Sequence, residues 1–178
     1  MSSIKEIKKA FELLYLSMNN ASFSKSQKFS WWNEKALLPN IRFYLLGYFG
    51  RGLEPEIKTE LISAPTREGY LDFGVNNSVI EFAVRLPNES ASKLTAYANR
   101  TEREKLIRRK FWHDWAEHGV LVLFDFSDKP LSNEQLEEYR EKPCLGPGNH
   151  KIDGFSVLYY NYINGQDECC IRKNIKFY

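Results

Sequence analysis

The chain has 178 residues, 43% hydrophobic and 15% aromatic, with only 10 Gly and 7 Pro. That is the size of one globular domain with material for a core, and it excludes a disordered or collagen-like chain. Twenty-five Lys and Arg residues offset 23 Asp and Glu to a formal charge of +2, so attraction to a polyanion has to come from local segregation of charge. Cys144, Cys169 and Cys170 are odd in number and two are adjacent, which makes no disulfide framework and suits a reducing, cytoplasmic setting. No run approaches the ~18 apolar residues of a membrane span, and no signal-peptide core opens the sequence. Gly-x-x-x-x-Gly-Lys, Cys-x-x-Cys and His-Glu-x-x-His are all absent. The expectation is a single domain over 1–178 with no membrane partner.

Residues 4–18 set Ile4, Ile7, Phe11, Leu14 and Met18 at helical spacing between charges. The polar stretch 19–30 then reads as a loop, so residues 1–30 form a helix and connection ahead of the core. A second helical stretch covers 31–49; Pro39 suits a first turn better than a helix middle and predicts a break into two helices. From Glu56 the period becomes that of a sheet. Residues 56–62, 70–75 and 79–86 predict a three-stranded meander, its last two strands joined tightly through Asn76-Asn77-Ser78. Helix returns after Ser90, with a second start at Thr101, where Glu104 completes a capping box, and an end at His118 and Gly119. The near-continuous apolar run 120–126 predicts a strand buried on both faces and parallel to the last strand of the meander. Ser132 caps a helix over 131–142, residues 143–150 form a Gly/Pro loop, 155–163 an aromatic strand and 171–178 a last strand.

The segment 69–86 carries the chemistry. Asp72 lies on one hairpin strand and Glu81 on the next, each between apolar residues, where a carboxylate is costly. Acids on adjacent strands can share a divalent cation, and oxygen ligands are what Mg²⁺ or Mn²⁺ prefers. Such an ion activates water and neutralises the charge that develops on a phosphodiester. The plainer alternative is a half-exposed hairpin whose acids face water.

Helix, meander carrying Asp and then Glu, helix, buried parallel strand: in this order of elements residues 34–127 resemble the restriction-endonuclease-like core of the PD-(D/E)XK nuclease superfamily. The resemblance implies an α/β (α+β) fold with a central mixed β-sheet flanked by helices. Residues 31–127 are then the core and 128–178 a C-terminal extension. It further implies a phosphodiesterase of nucleic acids dependent on Mg²⁺ or Mn²⁺, with metal on Asp72 and Glu81 and Glu34 as the assisting helix glutamate. Two positions depart from the pattern: the residue before the Asp is Leu71 rather than Pro, and the position of the family's lysine, two after the Glu, is Ala83. Alanine neither positions water nor stabilises negative charge. Arg85 shares the strand face of Glu81, and Lys93 opens the next helical region, to which the resemblance implies the lysine can migrate; these are the candidate replacements. Ala83 also raises the alternative of a non-catalytic module of the same fold that binds nucleic acid or a protein partner. A third reading is an unrelated α/β interaction protein working through the aromatic segment 155–162.

Arg100, Arg103, Lys105, Arg108, Arg109 and Lys110 form a basic run opposed within it only by Glu102 and Glu104, with Trp112 and Trp115 following. Such a run can contact phosphates and stack on bases; the alternative is a solvated helix face over a buried stripe that includes Leu106 and Ile107. His113, His118 and His150 form no metal or triad pattern. Cys169 and Cys170 read as ordinary residues of a terminal strand, and Trp31-Trp32 as core aromatics at a helix start.

Overall fold

A computed structural model describes residues 4–19, 32–60, 68–107, 116–141, 154–161 and 170–176. Helix α1 (Ile4–Met18) buries Ile7, Ala10, Phe11, Leu14, Tyr15 and Met18, the stripe its spacing predicts. Helix α2 (Glu34–Phe49) is capped by Asn33, whose side chain accepts the Ala36 amide at 3.1 Å. Pro39 lies inside α2 and does not divide it. Pro39 removes the single bond to the Lys35 carbonyl, and the buried Leu37, Ile41 and Leu45 on either side of it hold the helix to the core.

Strands β1 (Leu53–Glu60), β2 (Glu68–Val75) and β3 (Ser78–Arg85) form the antiparallel meander. Val75 pairs with Ser78 across the two-residue turn, where Asn76 takes φ +53°, a left-handed conformation that asparagine tolerates. Helix α3 (Arg100–Ile107) leads to β4 (His118–Asp125), helix α4 (Asn133–Glu137), β5 (Gly154–Asn161) and β6 (Cys170–Lys176). The sheet has six strands in the order β1-β2-β3-β4-β5-β6; β3, β4 and β5 run parallel and the other pairs antiparallel. The two strands after residue 128 therefore extend the same sheet. Ser132 forms the capping box of α4 with Gln135.

Several boundaries differ from the sequence reading: β1 begins at Leu53 rather than Glu56, and α4 covers Asn133–Glu137 rather than 131–142. Helix α3 starts at Arg100, with Thr101 inside it. His118 and Gly119 belong to β4 rather than to a helix end, because the Asn77 carbonyl accepts the Glu117 and His118 amides and sets Ser78 beside His118.

The sheet separates two cores. On one face α1 and α2 pack over Phe73, Val75, Ile80, Phe82, Val84, Val122, Phe124 and Tyr160. On the other, Leu94, Leu106, Leu136 and Tyr139 cover Leu71, Val79, Ala83, Leu121, Leu123, Val157 and Tyr159. Strand β4 sends side chains into both, which explains why its sequence is apolar almost without interruption. The protein is thus an α+β molecule with a mixed sheet flanked by helices.

Candidate metal and catalytic site

The antiparallel ladder between β2 and β3 runs from Val75–Ser78 to Phe73–Ile80. One further step would set Asp72 across from Glu81, and there the ladder stops. Instead Asp72 Oδ2 accepts the Phe82 amide at 2.8 Å, so a carboxylate replaces a backbone carbonyl as the acceptor. Leu71 and Phe73 should share a face, being two apart in a strand, yet they pack into opposite cores. The chain turns over beside Asp72. On β1 the residue between the pairs Pro55–Phe73 and Ile57–Leu71 is Glu56, with φ +56°, a conformation costing a non-glycine residue about 1 kcal/mol. Arg42 from α2 holds the Glu56 carboxylate at 2.5 Å.

Glu81 points into the second core with 1% of its side chain exposed. Lys105 of α3 meets it, Nζ to Oε2 at 2.7 Å, and also donates to the Tyr70 carbonyl of β2 at 3.0 Å. The lysine therefore bridges β2 and β3 where their ladder has opened. Glu81 Oε1 is buried and has no hydrogen-bond partner among the described residues. A buried oxygen of this kind carries a desolvation cost with nothing to offset it.

Four acids share the field of this one lysine. Burial, and then Asp72, push the Glu81 carboxyl well above the usual carboxylate range, against the pull of Lys105. Burial also raises Asp72, opposed by the Phe82 amide and Lys105. Burial disfavours the Lys105 ammonium, but Glu81, Asp72 and Glu102 together hold it above the ordinary lysine value. Glu34, in the first turn of α2, is open to solvent by area, yet the surrounding protein displaces enough of its hydration, with help from Asp72 and Glu102, to push it up to about 7.

That value yields a direct check. A carboxyl raised from 4.5 to about 7 on folding contributes stability that is present below pH ~4.5 and lost as the pH rises through ~7. Carboxyl-carbon NMR is expected to show Glu34 titrating near neutrality, and Glu34→Gln is expected to flatten the fall in stability over that interval. A midpoint in the ordinary glutamate range would remove Glu34 from the site.

The donors are carboxylate oxygens, the chemistry that Mg²⁺ and Mn²⁺ take. Among the described residues no three His, Cys, Asp or Glu side chains stand ready as a metal cage. Asp72 and Glu81 fit the manner in which Mg²⁺ is usually held, by one or two carboxylates with waters and substrate phosphate completing the shell. The unpartnered Glu81 Oε1 is the observation that supports the fit.

Of the residues singled out in the sequence, Asp72 lies near enough to both Glu81 and Glu34 to act on their charge, and Lys93 does the same to Glu34, with its own side chain 57% exposed. Arg85 does not join them. Its guanidinium is buried at the ends of β3 and β4, where Nε donates to Asp125 Oδ1 at 2.8 Å and Nη2 to Asp125 Oδ2, Ser127 Oγ and the Lys129 carbonyl. Strand parity fixed its face correctly and could not show that the parallel neighbour supplies an acid.

The basic run divides. Arg100 is half-exposed and pairs with Glu104 at 2.9 Å. Arg103 is buried, donates to the Ala96, Tyr139 and Glu141 carbonyls and lies 5.6 Å from the Tyr139 ring centre; it clamps the fold rather than facing a ligand. Arg103→Ala is accordingly expected to lower stability by about 2–4 kcal/mol in urea unfolding, whereas Arg100→Ala, which removes one half-exposed partner from the buried Glu104, is expected to cost less. Equal effects would contradict this division. Arg108, Arg109, Lys110, Trp112 and Trp115 lie outside the described residues, as do Trp31, His113, Cys144, His150 and Cys169.

Lys105 is the site residue that its sequence context hid. It lay inside the basic run, read there as one phosphate contact among six. The signal was its neighbour: Leu106 buries against the sheet face that carries Glu81, which brings that helix close enough for Lys105 to reach the acid.

No helix among the described residues is long and apolar enough to cross a membrane. Comparison of the chain with protein-family models, with curated proteins and with solved structures finds no match.

Proposed function

We propose that the chain is a divalent-metal-dependent phosphodiesterase of nucleic acids with a restriction-endonuclease-like core, and that Asp72, Glu81, Glu34 and Lys105 form its site. The observation that carries this reading is the opening of the β2–β3 ladder at Asp72 with a buried, half-satisfied Glu81 beside it. Buried acids facing each other destabilise a fold, and a shared cation gives them a purpose. Mg²⁺ or Mn²⁺, when bound, supplies an activated water and positive charge at the phosphodiester. Asp72, anchored by the Phe82 amide, and Glu81, fixed by the sheet, are the oxygens that would hold it. Glu34, raised to about 7, is partly ionised at neutral pH, which suits a group that takes up a proton at the mouth of the site. Lys105 remains charged at neutral pH, so its contribution is to stabilise negative charge on phosphate oxygens. It replaces in space the lysine that Ala83 lacks in sequence.

The test is incubation of single- and double-stranded DNA and RNA with the protein and Mn²⁺. Cleavage that EDTA stops and that Asp72→Asn and Lys105→Met lose is the expected result. One specific feature favours the non-catalytic module: the Lys105–Glu81 ion pair already provides Glu81 with a cation. That reading requires no cleavage of any substrate and nucleic-acid or protein binding unchanged in Asp72→Asn.

A further inference from the structure

The placement of Lys105 leads beyond its assignment as a site residue. Its ammonium holds Glu81 Oε2, next to the unpartnered Oε1 that a shared metal ion would take, and it does so between two strands held apart at that point. Glu81 and Lys105 are 1% and 13% exposed as side chains, so water reaches neither well enough to replace the partner. The ammonium also donates to the neutral Tyr70 carbonyl at 3.0 Å. A divalent ion on Asp72 and Glu81 would stand close to that ammonium, and the repulsion between the two cations weakens its hold on Glu81. The lysine has somewhere to go: Glu102 precedes it by three residues on α3, the spacing of neighbours on one helix face, and already acts on its charge. The lysine stem is long and flexible, with three rotatable donors on its ammonium.

We propose, resting on the metal-dependent reading above, that Lys105 is the resident counter-cation of Glu81 in the metal-free protein. Entering divalent metal displaces it from Glu81 toward Glu102, which delivers the ammonium to the side from which an anionic phosphate approaches. One side chain then does two things in sequence. It keeps a buried acid compatible with the fold, and it becomes available to substrate only after the metal has bound. Metal and lysine compete for Glu81, so removing the lysine has opposite effects on metal affinity and on cleavage.

The experiment is Mn²⁺ titration calorimetry at about pH 8 on the wild type, Lys105→Met and the double variant Asp72→Asn/Lys105→Met. It is paired with mass-spectrometric measurement of Lys105 acylation by an amine-reactive ester in the wild type. Lys105→Met is expected to bind Mn²⁺ at least about tenfold more tightly than the wild type while losing cleavage, and the double variant to lose the binding. Mn²⁺ is expected to raise the acylation rate of Lys105 several-fold, because Glu81 no longer masks the amine; this readout needs no variant to fold. Unchanged or weaker binding in Lys105→Met, with Lys105 acylation indifferent to Mn²⁺, would overturn the displacement and leave an Asp72-dependent metal site standing. Absence of Mn²⁺ binding in both wild type and Lys105→Met would overturn the metal site itself.

Discussion

Asp72→Asn is expected to abolish metal-dependent cleavage and, in the same protein, to raise stability in the absence of metal. The two effects have one cause. Burial, with a small contribution from Glu102, raises the Asp72 pKa above its unfolded value, so its stabilising form is the neutral one, present below about pH 3.8 and lost as the pH rises. As the pH rises, ionising this buried carboxyl costs stability, and asparagine, which does not titrate, removes that cost. Asn retains a carbonyl oxygen able to accept the Phe82 amide that Asp72 now holds at 2.8 Å, so the opened ladder persists. Cleavage is expected to fall by at least about a thousandfold, the scale at which electrostatic groups of an active site act, with an upward shift in the metal-free Tm. Glu81→Gln is expected to lose cleavage too but without the gain, because it leaves the Lys105 ammonium, 13% exposed, without its anionic partner. A loss of activity accompanied by unfolding in Asp72→Asn would assign the residue to structure instead.

The largest loss of stability is expected at Asp125. This carboxylate is fully buried and accepts from Arg85, Tyr159 and the Ser127 amide, joining β3, β4 and β5 at their ends. Asp125→Ala leaves the Arg85 guanidinium buried with only the Ser127 hydroxyl and the Lys129 carbonyl. Breaking a buried ion pair from one side costs about 3–5 kcal/mol, which for a chain of this size corresponds to a fall in Tm of about 10 °C. Arg85→Met is expected to destabilise in the same direction, whereas Lys93→Ala, on an exposed side chain, shifts stability by less than about 0.5 kcal/mol. Thermal unfolding separates them. If Arg85→Met left stability intact and removed cleavage, Arg85 would belong to the active site after all.

These two positions show what could be read from the sequence and what could not. The acids Asp72 and Glu81 stood out because each interrupts an apolar strand, and hairpin register depends only on local spacing, so their juxtaposition was legible. The core of the strand, read as 120–126, was legible because burial on both faces leaves little room for polar residues. Arg85 was misleading, since period-two alternation gives the face of a strand and says nothing of its neighbour; Asp125, forty residues away, decides its role. Lys105 was hidden for the same reason: its partner lies twenty-four residues back on another element, while its local setting is that of an ordinary charged helix. The reversal of side-chain direction beside Asp72 left no mark either, because Glu56 is not a residue type that announces a left-handed backbone. Pro39 over-predicted a break, since tertiary packing of Leu37, Ile41 and Leu45 holds the helix across one missing bond.

The central claim is that Asp72 and Glu81 share a divalent ion, and Mn²⁺ titration calorimetry on the wild type and Asp72→Asn tests it without a guess about substrate. A dissociation constant of about 1 mM or tighter in the wild type, lost in an Asp72→Asn protein that remains folded, is the result this account predicts. No binding heat in the wild type, or equal binding in both proteins, would contradict it.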